Sequence, residues 1–348
     1  MTTNNPFAWT VIGAGPAGIA AVGLLIDHGV KPQEILWVDR YFGAGDLGRY
    51  WKNVSSNTSV KLFLQFLNGI KAFKYENHPQ PFELDKLDVN QTTVLNNIVQ
   101  PLKWVTEQLS KHVKTQKGLV TRLFANDGFW NLEIGKQVFQ TQKIILATGA
   151  SPKSLNYSQL EEIKLTTALD PEKLNNSVKP DDSVAVFGSS HSAMIIIRNL
   201  LEFGVKKVVN FYLTPIRYAL QMDGWILYDD TGLKGETAEW VRHNLSKRTH
   251  PKVERYIAND SNIENYLCLC NKVIYAIGFT QHLPLAANID FRQYDTTNGI
   301  IAPGLFGAGI GFPKKFIDPN GNVELSVGLF KFMRDLKIML PIWLRYGL

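Results

Sequence analysis

Gly13-Ala14-Gly15-Pro16-Ala17-Gly18 follows the apolar run Trp9-Thr10-Val11-Ile12 and opens an Ala/Leu-rich stretch that ends near Ile26. A second apolar run, Ile35-Leu36-Trp37-Val38, comes next, so Ala8 to Arg40 reads as strand, glycine turn, helix and parallel strand. Gly13 permits the tight turn, Gly15 lets the backbone approach a pyrophosphate, and Gly18 allows close packing of helix on strand. Pro16 and Ala17 stand at the helix start, where aligned N–H groups face an anion. Asp39 lies 21 residues beyond Gly18 at the end of the second strand, where a carboxylate can accept hydrogen bonds from ribose hydroxyls, and Arg40 follows it. The segment predicts a dinucleotide-binding βαβ unit.

The pattern occurs twice. Ser183-Val184-Ala185-Val186-Phe187 leads into Gly188-Ser189-Ser190-His191-Ser192-Ala193, a helical run through Leu201, and a strand from Lys207 to Tyr212. This turn keeps the first glycine and carries Ser190 and Ala193 at the second and third glycine positions. A hydrolase elbow, G-x-S-x-G, fails because Ala193 stands beyond Ser192. His191 either contacts a phosphate or is a partly exposed helix-start residue. No acid occupies Asn210 to Pro215 and Arg217 follows, which favours NADPH over NADH because a guanidinium pairs a 2′-phosphate. The alternative for Arg217 is a solvated loop cation. Each unit has a closing strand: Lys143 to Ala147 ends in Thr148-Gly149, and Lys272 to Ala276 ends in Ile277-Gly278.

At 348 residues the chain has length for about two domains. Hydrophobic residues at 45% and charged residues at 20% exclude a disordered or low-complexity protein. The net charge of +6 is scattered, with no basic run longer than a pair such as Lys314-Lys315, which argues against nucleic acid and suits an anionic small ligand. Cys268 and Cys270 form no disulfide framework or zinc motif and read as inert, buried thiols in a strand. The N-terminus, Met1 to Pro6, lacks a basic region followed by an apolar core, and no apolar run approaches the ~20 residues of a spanning helix. A cytoplasmic protein with no integral membrane segment is expected.

Two dinucleotide turns, their two closing strands and the late Gly304-Leu305-Phe306-Gly307-Ala308-Gly309 run together resemble the two-dinucleotide-binding-domain flavoproteins of the pyridine nucleotide-disulfide oxidoreductase superfamily. The resemblance covers nearly the whole chain. It implies an α/β protein with two Rossmann-like domains, the NADPH domain (153–283) inserted in a discontinuous FAD domain (1–152 and 284–348), and hydride transfer from NADPH to FAD. Gly43 to Trp51 looks like a glycine-tryptophan segment of flavin-containing monooxygenases, which puts Gly48 and Trp51 along the FAD. Ser55 to Lys61 follows where those enzymes carry a Thr-Asn segment, which puts Asn57 near the reactive face of the flavin. An amide there can hydrogen-bond a bound oxygen without donating an acidic proton; an ordinary Ser/Asn turn is the plain alternative.

The departures are specific. The histidine-containing fingerprint of those monooxygenases is missing, since Pro152 to Asp182 holds no histidine, and the two cysteines lie far from where a flavin-linked dithiol belongs. A late Gly-Asp that binds the ribityl chain in many relatives is replaced by Gly309-Ile310, leaving backbone amides for that contact. A final helix from near Val323 through Leu336 is expected to aim its N-terminus at the flavin, and its apolar face serves core packing, a homodimer contact or a membrane surface. Met222 to Gly235 has no role in either unit, and a charged surface excursion is expected there. Three readings follow: an FAD- and NADPH-dependent oxidoreductase resembling flavin monooxygenases, a reductase of a quinone, small disulfide or protein acceptor, and a nucleotide-sensing flavoprotein. The substrate or acceptor is a small molecule in the first reading.

Overall fold

The computed structural model describes residues 6–246 and 250–347. Met1–Asn5, on which the leader reading rests, lie outside the described residues. In the first sheet, Leu305–Gly307, Gln137–Leu146, Phe7–Ile12, Ile35–Asp39 and Lys114–Lys117 lie side by side and parallel. An antiparallel meander of Val120–Asn126, Phe129–Ile134 and Gln137–Leu146 extends it, with Leu285–Ala286 added on its edge. The second sheet orders Glu161–Glu162, Lys272–Tyr275, Ser183–Phe187, Lys207–Tyr212 and Val253–Ile257, again all parallel. Central parallel strands are covered on both faces, which is why Ile35 to Val38 and Ser183 to Phe187 are apolar or small and buried without alternation. The architecture is the expected α/β one.

The chain leaves the first sheet through Ala150–Pro152 and comes back through Phe279–Gln281. These two segments pair antiparallel, Phe279 opposite Pro152 and Gln281 opposite Ala150. The first helix, Pro16–Asp27, buries every residue from Ala17 to Leu25, and the final helix packs on it.

The final helix begins later than its sequence suggests. Val323–Ser326 is a strand paired with Lys314–Ile317, its residues alternating between exposed and buried. Gly328 then adopts φ +135°, a backbone hostile to any side chain, before the helix Leu329–Arg345 starts. The period-two pattern of Val323-Glu324-Leu325-Ser326 was therefore the better guide there. Leu329, Met333, Leu336, Met339, Leu340 and Trp343 are buried, and Trp343 stacks on Phe306 with ring centroids 4.8 Å apart. The Lys143 ammonium donates to the Trp343 and Leu344 carbonyls at 2.9 and 2.6 Å, satisfying the last helical turn. Core packing thus accounts for this apolar stripe. Among the described residues no helix is long and apolar enough to cross a membrane.

The cysteines do not share a strand. Cys268 is exposed at the end of the helix Asp260–Leu267, whereas Cys270 is buried and its thiol is pushed up to about 12 by that burial. The tract Met222 to Gly235 is a surface excursion only at its start, where Met222, Asp223 and Gly224 are exposed; its second half is anchored. Lys331 of the final helix reaches Asp229 Oδ2 at 2.6 Å and Asp230 Oδ1 at 2.7 Å, while the buried Glu324 accepts the Asp230 and Thr231 N–H groups at 3.1 and 3.0 Å. Adjacent carboxylates converge here because one ammonium lies between them. Asp230 also accepts the Val327 N–H at 3.3 Å. The approach to the final helix and its first turn therefore meet this carboxylate.

Candidate dinucleotide sites

The first turn is held by its own strands. Gly13 N–H donates to Val38 O at 2.7 Å, and the buried Trp37 donates through Nε1 to Gly13 O at 2.9 Å. Two of its glycines are required by the protein itself: a Cβ on Gly13 would meet Ala147 O at 2.1 Å, and one on Gly18 would meet Gly13 O at 1.9 Å. Gly15 is different. Its φ is −79°, and a Cβ there would find nothing closer than Gly45 Cα at 3.9 Å. The bare backbone at Gly15 thus leaves open space beside a helix start that has no side-chain cap. That is the cradle a pyrophosphate needs, and these residues fit an FAD.

Asp39 does more than await a ribose. Its Oδ2 accepts the Ala14 N–H at 2.8 Å, and its Oδ1 accepts those of Tyr41 and Phe42 at 2.7 and 2.8 Å. It thereby ties the turn to a loop in which Phe42 and Ala44 adopt φ of 55° and 63°, a left-handed backbone costly for side chains. Oδ2 keeps a lone pair for a hydroxyl. Arg40 is exposed beside it.

Several predicted residues gather around this turn. Gly309, at φ +82°, places its Cα so that a Cβ would lie 2.7 Å from Ala17 Cβ, which brings Gly309 and the half-buried Ile310 against the helix start. Thr148 Oγ1 donates to His282 O at 2.6 Å, and Gly149 adopts φ +75°. Asp46 Oδ2 and His282 Nδ1 each lie 3.9 Å from the position a Gly149 Cβ would take. Neither was singled out in the sequence; Asp46 stood inside the quoted Gly43 to Trp51 segment, whereas His282 gave no signal. Burial pushes the Asp46 carboxyl above its usual range against the opposing pull of Arg49 and His282.

Gly48 fits tightly, since a Cβ would meet Gly43 O at 2.2 Å. Trp51, half-buried, packs with Val54 on the core of the second sheet, edge-on to Phe279 at 6.2 Å.

The second turn repeats the construction. Gly188 N–H donates to Phe211 O at 2.8 Å, and a Cβ on Gly188 would meet Ala276 O at 2.3 Å. The helix His191–Glu202 starts with Ser190 as an exposed N-cap that makes no side-chain cap, while Ser189 Oγ lies 3.4 Å from Thr214 Oγ1. Ser192 is half-buried in the first turn of that helix. Gly278, exposed at φ +93°, follows the closing strand and accepts the Lys153 N–H at 3.0 Å, so it belongs to the crossing between sheets. Arg217 lies over the Tyr228 ring at 4.6 Å.

The second turn approaches one strand of the other unit. His191 Nε2 lies 3.5 Å from Ser55 O, and Ser55–Ser59 is the strand that carries Asn57. Burial holds the His191 imidazole below its ordinary pKa, with the Ser55 carbonyl opposing and Lys234 adding to the shift. Asn57 is half-buried and accepts from Thr58 Oγ1 at 3.5 Å. Asn53 Nδ2 donates to the buried Asp170 at 2.9 Å, a further bridge between the sheets. Among the described residues no group of three or more His, Cys, Asp or Glu could hold a metal ion.

The geometry agrees with what the chain is similar to. It is 31% identical, over 99% of its own length and 100% of the relative, to the monooxygenase AgnR1 of Paecilomyces divaricatus. In fold it is similar to the FAD-bound cadaverine monooxygenase DfoA of Erwinia amylovora, with a TM-score of 0.67 at 13% identity, covering 98% of this chain and 95% of that one. It is also similar to the thioredoxin reductase of Lactococcus lactis, with a TM-score of 0.56 at 14% identity over 97% and 99% of the two chains. Residues 7–301 match the profile of the pyridine nucleotide-disulphide oxidoreductases, so the chain belongs to that family and is an FAD-dependent oxidoreductase.

Proposed function

We propose that the chain is an NADPH oxidoreductase that transfers hydride from NADPH on the second turn to FAD on the first and then activates oxygen toward a small-molecule substrate. The domains follow as 1–152 with 284–348 for FAD, and 153–283 for NADPH. The observation that carries this reading is the contact between His191, at the second turn, and Ser55, two residues from Asn57. It puts the start of the nucleotide helix against the strand proposed to face the flavin. A 31% identical monooxygenase supports the oxygen-activating branch.

Bound FAD supplies the electron chemistry: it accepts a hydride and passes the electron pair onward. The chain's own residues bind, orient and shield. Gly13, Gly15, Pro16, Ala17 and Gly18 hold the FAD pyrophosphate, with Asp39 and Arg40 at the adenosine ribose and Thr148, Gly149, Gly309 and Ile310 along the remainder. Gly188 through Ser192 hold the NADPH pyrophosphate, with Gly278 beside the closing strand. Neutral His191 fixes the approach of the two domains through Ser55, and Asn57 presents an amide that hydrogen-bonds a reacting oxygen without donating an acidic proton. Gly48 tightens the loop that meets the flavin, while Trp51 seals the interface between the sheets.

The test is oxygen uptake with NADPH, comparing hydrogen peroxide released with NADPH oxidised while candidate small-molecule substrates are supplied. A substrate that suppresses peroxide release and acquires an oxygen atom supports the reading. The second reading, a reductase without oxygen insertion, is favoured by the absence of histidine between Pro152 and Asp182. It requires an acceptor, such as a quinone, that is reduced in stoichiometry with NADPH under anaerobic conditions.

A further inference from the structure

The two dinucleotide units superpose in register, and the comparison isolates one arginine. Trp37 pairs with Val11 and Asn210 with Val186, each on the second strand of its unit. Both side chains donate to the carbonyl of the first turn glycine, Trp37 to Gly13 at 2.9 Å and Asn210 to Gly188 at 2.8 Å. Two residues further on, Asp39 of the first unit is matched by Tyr212 of the second. The acid position of the second unit is therefore a tyrosine.

Asn210 has a partner that Trp37 lacks. Arg255, opposite Asn210 on the strand Val253–Ile257, donates through Nε to Asn210 Oδ1 at 2.9 Å. Its guanidinium lies over the Tyr212 ring at 4.8 Å, and its Nη2 is buried without a hydrogen-bond partner among the described residues. Arg242 lies over Tyr218 at 4.4 Å close by, and the Tyr218 hydroxyl is 2.7 Å from Ser246 Oγ. The neighbouring acid, Glu254, is engaged elsewhere, with Lys207 at 2.7 Å. A half-buried cation with no acid paired to it among the described residues is costly, and burial accordingly holds Arg255 below the usual arginine range. An anionic ligand would supply the missing counter-charge.

We propose that Arg255, positioned by Asn210 over Tyr212, is the residue that grips the 2′-phosphate of NADPH. The proposal rests on the NADPH reading above and moves the specificity contact from Arg217 to the next strand of the sheet. With Nε fixed on Asn210, the planar guanidinium is oriented and its unpartnered donor is left for an oxygen of a phosphomonoester, a geometry that lysine cannot reproduce. Tyr212 excludes the carboxylate that would favour an unphosphorylated ribose. One side chain, Asn210, thus couples the phosphate grip to the carbonyl of the glycine turn.

The test measures binding of NADP⁺, NAD⁺, 2′,5′-ADP and 5′-AMP to the FAD-loaded protein by calorimetry. Arg255→Gln should weaken NADP⁺ and 2′,5′-ADP by about tenfold to a hundredfold. NAD⁺, 5′-AMP and FAD content should stay within about twofold, the spread expected when no phosphate contact is lost. Tyr212→Asp, which restores the acid found in the first unit, should lower the NADP⁺ to NAD⁺ affinity ratio by a similar factor while leaving the Arg255 guanidinium in place. Equal weakening of NADP⁺ and NAD⁺ in Arg255→Gln would assign Arg255 a structural part and overturn the proposal, as would loss of discrimination in Arg217→Ala with Arg255→Gln unchanged. Wild-type protein that binds NAD⁺ as tightly as NADP⁺, or binds neither, would overturn the NADPH reading and this proposal together.

Discussion

A Cβ built on Gly45 would lie 2.7 Å from Gly15 Cα, so these two glycines press together where the quoted loop crosses the first turn. Gly15 itself has room on its other side, which separates binding from folding. Gly15→Val should leave the thermal transition within a few degrees of wild type while the protein purifies with little FAD, because the branched side chain fills the pyrophosphate space. Gly18→Ala should do the opposite first, lowering stability through the 1.9 Å clash with Gly13 O. Absorbance at 450 nm per protein, alongside a thermal melt, reads both.

Asp39 accepts three backbone N–H groups, from Ala14, Tyr41 and Phe42. Asp39→Asn turns one acceptor oxygen into a donor and sets it against one of those amides. Stability should fall by about 1–3 kcal/mol even in protein stripped of FAD. Urea titration of the apoprotein checks this, and an unchanged midpoint would leave Asp39 a purely cofactor-facing residue.

The clasp between Lys331 and the Asp229–Asp230 pair gives a different kind of prediction. Lys331→Met leaves Asp230 without its ion-pair partner and Asp229 with Lys234 alone, and should cost about 3 kcal/mol. Hydrogen bonds and ion pairs from Lys234 and Lys331 outweigh burial and hold Asp229 below the usual carboxylate range. Its contribution to stability is present above the unfolded carboxyl pKa, about 4, and is lost as pH falls through the lower folded value. Melts at pH 3.5 and 7 should therefore converge for wild type and Lys331→Met at the acid end.

His191 acts with the same sign at higher pH. Its folded pKa is depressed by burial, so the unfolded chain takes up a proton that the native chain refuses. Stability should decline as pH drops below about 6.5, the unfolded imidazole value. His191→Gln should flatten that slope and slow NADPH-driven flavin reduction without releasing FAD. Denaturant midpoints at pH 5.5 and 7.5 measure the first effect, and stopped-flow absorbance the second.

Much of the fold was legible because its determinants are local. A glycine turn between two apolar runs fixes each βαβ unit, and the Gly13 and Gly188 turns have the same backbone support. What escaped notice depends on residues far apart in the chain. The partners of Asp229 and Asp230 lie about a hundred positions later in Lys331 and Glu324. Arg255 gains its meaning only when its strand pairs with the one carrying Asn210. Trp51 was assigned to the flavin by resemblance, and its packing on Phe279 and the core of the second sheet also depends on residues distant in the chain. Val323–Ser326 was read as the start of the final helix because its apolar residues run into the helical stripe; its pairing with Lys314–Ile317 and the break at Gly328 depend on a distant strand and on a backbone angle that composition does not reveal.

Asn57 separates oxygen activation from simple reduction. Asn57→Ala should leave the rate of flavin reduction by NADPH within about twofold, as expected for a group that meets only the later oxygen step. It should raise hydrogen peroxide release per NADPH several-fold, since a lost hydrogen bond worth about 1.4 kcal/mol changes a rate roughly tenfold. Unchanged peroxide yield would remove Asn57 from the site.

The most direct measurement is anaerobic mixing of the purified, FAD-containing protein with NADPH and, separately, NADH, following flavin absorbance at 450 nm. We expect a yellow protein whose absorbance is bleached by NADPH faster than by NADH. A folded protein that neither carries nor takes up FAD, or whose flavin is bleached by neither nucleotide, would contradict it.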